Sequence, residues 1–204
     1  FDLYERTDES DGLSTLYIKQ HGKVVKMTAS DVTSTAEGKT QLSWDTGDHW
    51  DVPEQPNLGN VYYQNGKEMR VYGGTSPRVF PGYALALNGG NLDFYKADNV
   101  ISNLIVLGSV NIFNYGGGVE KLSGHVTMSS GTGSAMFYGN DGRTLIVDSD
   151  ISGTGNVKIM LSGTTVSYVR FNGDNSAYAG TIIASSGGKA SETGYICFSC
   201  PTAA

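Results

Sequence analysis

The chain has little of what most other fold classes depend on. Charged residues make up 17% of its 204 residues, below the quarter or so that is usual in soluble domains. No window of a dozen residues repeats apolar positions at intervals of three and four without an interrupting glycine or proline, so amphipathic helices are not predicted. No uninterrupted apolar run approaches the roughly 18 residues of a membrane-spanning helix. The sequence therefore predicts an all-β protein without membrane insertion.

Basic residues are few and dispersed. The 14 lysines and arginines are outnumbered by 20 aspartates and glutamates, which gives a formal net charge of −6. No cluster of Lys and Arg occurs anywhere along the chain. Because binding to phosphates needs concentrated positive charge, nucleic acid is excluded as a predicted partner.

Cysteine is also scarce. The two cysteines, Cys197 and Cys200, lie at the end of the chain and have no second pair to complete a tetrahedral zinc site. A local disulfide would indicate an oxidising compartment, and two unlinked thiols are the alternative. The chain begins at Phe1 without an apolar targeting segment. We therefore expect a processed piece of a larger secreted or surface protein, covalently linked to further domains.

Glycine is abundant, and strand-like segments recur. The 28 glycines are about twice the average share and separate short alternating runs of apolar and polar residues. Beyond residue 80 these runs become regularly spaced, at intervals of about 20 residues. Equivalent positions of successive runs are Leu85, Leu104, His125, Leu145 and Tyr168.

This period predicts one coil of a solenoid, because stacked coils bury a continuous core that a single coil cannot form. We predict a right-handed parallel β-helix with an N-terminal capping region. The predicted boundaries are a β cap over residues 1–42, coils over 43–186, and a tail or last strand over 187–204. A two-sheet sandwich is the alternative, because short strands at close and regular intervals are typical of it as well.

Two stretches carry a family resemblance. Residues 152–159, SGTGNVKI, and residues 171–183, FNGDNSAYAGTII, resemble the passenger-associated repeat of bacterial autotransporters and related surface proteins. Residues 43–50, with two tryptophans, resemble the tryptophan-rich opening coil that precedes such repeats in large extracellular proteins. The resemblance implies a β-helix at the cell surface, in an adhesin or in the stalk that carries one.

Four tyrosines recur at nearly the same interval as the strand-like runs. Because the interval is close to one coil, we expect them to stack on successive coils as an exposed ladder. Such a ladder would offer flat apolar faces and hydroxyl groups to sugar rings. The alternative is that these tyrosines are scattered surface residues. The four are Tyr72, Tyr95, Tyr115 and Tyr138.

Strand alternation refines the ladder prediction. Adjacent residues of a strand point to opposite faces, so Phe94 and Phe137 should point inward while Tyr95 and Tyr138 point outward. Phe113 lies two positions before Tyr115 and so should share its face, which weakens the ladder at that coil.

A second group surrounds two tryptophans. Trp44 and Trp50 flank Asp45, Asp48 and His49, and could form a binding platform for a ligand. The alternative is structural, because tryptophans at the mouth of a solenoid also fill its apolar core.

Paired carboxylates are the remaining candidates. Alternation places Asp148 and Asp150 on one face, where they could bind calcium or take part in a polysaccharide lyase or glycosidase. A lyase would also need a basic residue nearby, and Arg143 and Arg170 fall in different coils. No nucleophile–histidine motif is present. We therefore predict no catalytic residues.

These features favour binding over catalysis. The predicted function is that of a non-catalytic carbohydrate-binding module of a larger secreted or surface bacterial protein, with a polysaccharide or cell-surface glycan as partner. The ligand-binding candidates are the four tyrosines together with Trp44 and Trp50. An autotransporter-like adhesin or stalk segment is the alternative, and a lyase or glycosidase is the minor one.

Overall fold

The computed structural model describes residues 2–7, 14–19, 22–30, 44, 47–71, 77–95, 98–116, 118–131, 133–186 and 194–199, with the backbone alone at 2–7 and 14–19. Within these ranges the chain forms eighteen strands and one short 3-10 helix, Gly47–His49. The strands are β1 (Asp2–Thr7), β2 (Ser14–Lys19), β3 (Val24–Lys26), β4 (Val61–Tyr63), β5 (Met69–Val71), β6 (Arg78–Val79), β7 (Ala84–Leu87), β8 (Asn91–Phe94), β9 (Asp98–Val106), β10 (Ser109–Asn114), β11 (Val119–Met128), β12 (Ser134–Asn140), β13 (Thr144–Val147), β14 (Asp150–Gly153), β15 (Asn156–Ser162), β16 (Ser167–Phe171), β17 (Ile182–Ser186) and β18 (Gly194–Phe198).

The strands stack in parallel as a β-solenoid of about five turns. One six-stranded sheet has the order β17-β15-β12-β10-β8-β5, and a ten-stranded sheet has the order β18-β16-β13-β11-β9-β7-β4-β3. Among the described strands, only β1 and β2 pair in antiparallel fashion. The predicted solenoid is confirmed and the sandwich alternative is wrong. Right-handed winding stays a prediction, based on the handedness of parallel crossovers. No helix in the described ranges has the length and apolar character needed to cross a bilayer.

Each coil of the solenoid contributes three strand segments, because the long strands β9 and β11 take part in two ladders. The first ladder runs through β4, β7, the later half of β9, the later half of β11 and β14. The six-stranded sheet is the second ladder. The third runs through β6, the earlier halves of β9 and β11, then β13, β16 and β18.

Gly124 separates the two halves of β11. The register shifts between Gly124 and His125, and Gly124 has a φ of +116°. A Cβ atom at this position would lie 1.9 Å from the carbonyl oxygen of Ile101 on the coil below. Only glycine fits here, since it tolerates positive φ and has no side chain to collide with the neighbouring backbone.

The core consists of inward-facing residues that repeat along the solenoid axis. In the second ladder Ile112 and Phe137 are register partners, and Phe137 in turn pairs with Ile159. All three are fully buried. Burying a side chain of this size contributes roughly 1.5–3 kcal/mol. Stacked apolar columns of this kind are the main source of stability in the fold.

The predicted column of coil markers is only partly correct. Leu85 and Leu104 are register partners, as predicted. His125, however, pairs with Asn103, and the partner of Leu104 is Val126, because this coil is one residue longer than predicted. Leu145 lies in the third ladder, so it does not continue this column.

The coil lengths vary more than the sequence spacing suggests. In the second ladder Phe94 pairs with Asn114, which closes a coil of the predicted length. The next coil in the same ladder, from Ile112 to its partner Phe137, is longer. A prediction that assumes a constant coil length of about 20 residues therefore assigns the wrong register partners after a few coils.

The predicted cap boundary at residue 42 does not coincide with the start of the solenoid. Strand β3, within the predicted cap, already pairs in parallel with β4. Strands β1 and β2 form an antiparallel pair, and their capping role stays a prediction. At the other end β18 pairs in parallel with β16, and the predicted boundary of the tail at residue 187 stays a prediction.

The stretch that resembles the surface-protein repeat is held by side-chain hydrogen bonds to the backbone. The Tyr178 hydroxyl oxygen lies 2.8 Å from the carbonyl oxygen of Gly155 and 2.9 Å from that of Thr181. It also accepts a hydrogen bond from the backbone N–H of Val157 at 3.1 Å. Asn175 accepts one from the N–H of Ile151. Tyr178 and Asn175 therefore fasten the loop to the preceding coil.

Candidate functional site

The outer surface of the second ladder carries an aromatic cluster. Phe94 and Phe137 are fully buried, whereas Tyr95 and Tyr138 are partly exposed. This alternation is the predicted one. It follows from the pleat of the strands, which turns successive side chains to opposite faces.

Tyr95 and Tyr115 contact each other at the ends of neighbouring strands. Phe94 and Asn114 are register partners, so the tyrosines that follow them are neighbours as well. Their ring centres are 5.3 Å apart with an interplanar angle of 34°. The side chain of Tyr115 is 48% exposed. Tyr72, the first member of the predicted ladder, lies outside the described residues.

Tyr138 belongs to a different column, which corrects the predicted ladder. Its register partner is Phe113, whose own partner on the preceding strand is Asp93. The centres of the Phe113 and Tyr138 rings are 4.8 Å apart. The coil that ends at Tyr138 therefore begins at Phe113, so Tyr138 lies above Phe113 rather than above Tyr115.

Phe113 joins the two columns into one surface. Its ring lies edge-on to Tyr115, with ring centres 6.4 Å apart, and also contacts Tyr138. Phe113 and Tyr115 share a face, as alternation predicts. Their proximity connects the surface rather than weakening it. We call Tyr95, Phe113, Tyr115 and Tyr138 the aromatic cluster.

A buried arginine supports the cluster from the preceding coil. Arg70 is the register partner of Asp93, lies 3.5 Å from its carboxylate, and donates from Nε to Glu68 at 2.9 Å. It also donates to the Tyr95 hydroxyl at 3.2 Å. Burial lowers the pKa of Arg70, but the hydrogen bond to Glu68 and the attraction of Tyr95, Glu68 and Asp93 raise that pKa above its ordinary value.

Two guanidinium groups lie near the same exposed ring. The central guanidinium carbons of Arg70 and Arg143 are 6.0 Å and 5.8 Å from the centre of the Tyr115 ring. Arg143 also donates to the backbone carbonyl of Asn114 at 3.4 Å. Cation–π contacts at exposed sites contribute about 0.5–1 kcal/mol. Tyr115 is therefore exposed and in favourable contact with both guanidinium groups.

A second aromatic pair lies on the third ladder, and sequence reasoning missed it. Tyr168 and Tyr195 are register partners whose rings stack at 5.3 Å with an interplanar angle of 17°. Tyr195 is 52% exposed, and the Arg170 guanidinium lies 5.2 Å from the Tyr168 ring centre. The coil that separates the two tyrosines is longer than the predicted period, so a search at that period does not find the pair.

The two tryptophans are part of the core, which contradicts their predicted binding role. Trp44 is 1% exposed and Trp50 is 3% exposed. Trp44 packs edge-on against Phe80, and Trp50 against Tyr62. They fill the N-terminal end of the core, which is the structural alternative. His49 between them is buried as well, whereas Asp45 and the side chain of Asp48 lie outside the described residues.

The predicted calcium pair is occupied by other contacts. Asp148 accepts from Lys121 at 3.0 Å and from Asn172 at 2.9 Å, and the contact with Asp148 raises the pKa of Lys121. Asp150 accepts from the backbone N–H of Asp174 at 2.8 Å. Across the described ranges no three His, Cys, Asp or Glu side chains come together as metal ligands. These contacts give the calcium hypothesis no support.

The arrangement gives no support to the lyase or glycosidase hypothesis either. Arg170 is in register with Ile146 in the third ladder, whereas Asp150 pairs with His125 in the first. His125 is half-buried and bonded to the Ser152 hydroxyl at 2.9 Å, which is a structural contact. Cys197 is partly buried, and its proposed disulfide partner Cys200 lies outside the described residues.

An apolar recess lies where the core reaches the last described coil. Its volume is about 50 Å³, and its lining is almost entirely hydrophobic. The lining residues are Ile151, Val157, Phe171, Asn175, Tyr178, Ile182 and Phe198. The recess contains no carboxylate and no basic group among the described residues, so it offers no acid–base chemistry. Comparison of the chain with protein-family models, curated proteins and solved structures returned no match.

Exposed aromatic groups in contact with one another mark sites of interaction. The aromatic cluster combines exposed ring faces with hydroxyl groups and the guanidinium of Arg143. It is suited to binding, and its four members include no pair of groups arranged for proton transfer.

Proposed function

We propose that the solenoid is a non-catalytic carbohydrate-binding module of a larger secreted or surface protein. The observation that carries this proposal is the aromatic cluster, in which an exposed Tyr115 ring contacts neighbouring rings and guanidinium groups. The proposed partner is a polysaccharide or cell-surface glycan.

The physical argument rests on the two faces of a sugar. Pyranose rings present C–H groups that pack on aromatic faces, and hydroxyl groups that bond to polar side chains at the ring edge. Tyr115 and Phe113 supply the apolar faces. The hydroxyl of Tyr138 and the guanidinium of Arg143 supply donors at the margin. A rigid solenoid also presents these groups without ordering a loop on binding, which limits the entropic cost of association.

The same observation weighs against a purely structural stalk. A stalk needs length and a stable core, and an exposed aromatic surface adds nothing to either. Exposed rings also carry a risk of aggregation, so their presence favours a binding role. If no glycan is retained, the stalk or adhesin segment becomes the favoured function.

The test is retention on insoluble polysaccharides with Tyr115→Ala. This substitution removes an exposed ring and leaves the buried core unchanged, so we expect little effect on stability. Because fixed aromatic residues dominate binding energy, we expect the dissociation constant to rise by about tenfold or more. Leu58→Ala is the control, since Leu58 is 71% exposed and lies outside the cluster. Equal retention of the wild type and Tyr115→Ala would contradict the proposal.

A further inference from the structure

An arginine lies beside a surface tyrosine at two places on the solenoid. The guanidinium of Arg143 is 5.8 Å from the Tyr115 ring centre, and that of Arg170 is 5.2 Å from the Tyr168 ring centre. The Arg143–Tyr115 pair includes a member of the aromatic cluster. The Arg170–Tyr168 pair lies on the third ladder, outside the cluster.

These arginines differ from Arg70 in how their charge is balanced. Arg70 is paired with Glu68 and Asp93. In the ranges that the structure describes, the guanidinium of Arg143 contacts the carbonyl of Asn114 and the Tyr115 ring, and that of Arg170 contacts the Tyr168 ring. Neither has a carboxylate partner there, in a chain where acidic residues outnumber basic ones.

Both groups retain hydrogen-bonding capacity. Arg170 is exposed and Arg143 is half-buried, and a guanidinium carries five N–H donors in one plane. Arg143 uses one of these donors for Asn114. The remaining donors suit the planar, bidentate recognition of a carboxylate or a sulfate.

The two pairs lie on neighbouring coils of the solenoid. The backbone N–H of Tyr168 donates to the carbonyl of Arg143 at 3.0 Å, so the second pair begins on the coil next to Arg143. With coils spaced about 4.8 Å apart, Tyr115 and Tyr168 are separated by roughly 10 Å along the axis. Tyr195 extends the strip by one more coil. An extended polymer that follows the axis is long enough to span this distance.

We propose that the glycan is anionic, and that its carboxylate or sulfate groups pair with Arg143 and Arg170 while its sugar rings lie on Tyr115, Tyr168 and Tyr195. This inference rests on the carbohydrate-binding function proposed above and specifies the class of polysaccharide. The protein as a whole is acidic. The net negative charge of the chain repels an anionic polymer, and the two arginines supply a local attraction. Because salt screens this attraction, we expect binding to weaken as the ionic strength rises.

The test compares polymers that share a backbone and differ in charge. The first set of probes consists of the anionic polymers carboxymethyl cellulose and cellulose sulfate and the neutral polymer hydroxyethyl cellulose. The second set compares anionic alginate with its propylene glycol ester, in which carboxylates are esterified. Affinity electrophoresis of the whole chain measures each dissociation constant. We expect each anionic polymer to bind at least tenfold more tightly than its neutral counterpart. Comparison of carboxymethyl cellulose with cellulose sulfate then shows whether carboxylate or sulfate is preferred.

The variants are Arg143→Gln and Arg170→Gln, with Lys23→Gln as the control. All three remove one positive charge, but Lys23 is exposed on the first coil, outside both pairs. Because charge-assisted hydrogen bonds are lost, we expect about a tenfold weaker affinity for the anionic polymers with each arginine variant. Affinity for the neutral polymer should be unchanged in Arg170→Gln, and all affinities should be unchanged in the control. In Arg143→Gln, which also loses a donor to sugar hydroxyls, the loss should be larger for the anionic polymers than for the neutral one.

The outcomes separate this inference from the proposed function. If neutral polymers bind as tightly as anionic ones and Tyr115→Ala still abolishes binding, the ligand is a glycan but the anionic class is wrong. If Lys23→Gln weakens binding as much as Arg143→Gln does, the effect is one of net charge and the assignment of the arginines is overturned. If the wild type retains no polymer of any class, both proposals are wrong.

Discussion

Phe113 and Tyr138 are register partners on adjacent coils, and their ring centres lie 4.8 Å apart at an interplanar angle of 71°. Phe113 also contacts Tyr115, which makes it the link between the two columns of the aromatic cluster. A residue that the sequence predicted to weaken the ladder at its coil therefore connects the two columns of the cluster.

Replacement of Phe113 by alanine is expected to weaken glycan binding more than replacement of Tyr138. Loss of the Phe113 ring removes contacts with both Tyr115 and Tyr138, so two further rings lose their orientation. Isothermal titration of the two variants against a bound glycan measures the difference. The linking role is wrong if Tyr138→Ala has the larger effect and Phe113→Ala has none.

Adjacent residues of β12 should separate stability from binding. Phe137 is fully buried and contacts Phe171, so Phe137→Ala should lower the free energy of unfolding by about 3–5 kcal/mol. Tyr138 points outward, and Tyr138→Ala should cost below about 1 kcal/mol while reducing affinity for the glycan. Urea denaturation followed by circular dichroism checks the first value. Similar losses of stability in both variants would mean that the strand faces are assigned wrongly.

The corner at Gly124 should not tolerate a side chain. Gly124→Ala combines a positive φ with a Cβ only 1.9 Å from the Ile101 carbonyl oxygen, so the backbone of two coils must shift. We expect a loss of about 3 kcal/mol or more. Gly131→Ala is the matched control, because Gly131 also has positive φ but no atom within 4 Å of the position that a Cβ would take. It should cost only about 1 kcal/mol, and equal losses in chemical denaturation would remove the steric explanation.

Tyr178 should make stability depend on pH in the alkaline range. Burial raises the pKa of Tyr178 above its ordinary value of 10.0, and its hydrogen bond from Val157 opposes the shift only in part. The neutral phenol is thus favoured in the folded state. As the pH rises from the ordinary pKa through the folded-state pKa, ionisation therefore destabilises the fold. Unfolding free energies at pH 8 and pH 11 should differ more for the wild type than for Tyr178→Phe. The same pH dependence in both proteins would exclude this role.

Alternation and corner residues were sufficient to predict the architecture from the sequence. The recurring strand-like runs predicted stacked coils, and the pairing of Leu85 with Leu104 confirms them where the coils are regular. Alternation also gave the correct directions for Phe94 and Phe137. Side-chain direction alternates from one residue to the next within a strand. It is therefore independent of the length of the coil, and the sequence alone predicts it.

The site was less predictable because it depends on register between coils. The long coil between Phe113 and Tyr138 displaces the column of Tyr138. As a result Tyr138 was assigned to the wrong column and the pair of Tyr168 with Tyr195 was missed. The supporting arginines were absent from the predicted site for the same reason. Register between coils is set by corner lengths, and no local pattern in the sequence specifies those lengths.

The most direct test of the glycan-binding surface is a two-dimensional ¹H–¹⁵N NMR titration of the intact chain with a soluble anionic oligosaccharide. The proposals predict that chemical-shift changes concentrate around the aromatic cluster, Arg143 and Tyr168. Resonances of the buried Trp44 and Trp50 indoles should remain in place. Saturable changes confined to the N-terminal end or to the apolar recess, with none around Tyr115, would contradict the assignment of this surface.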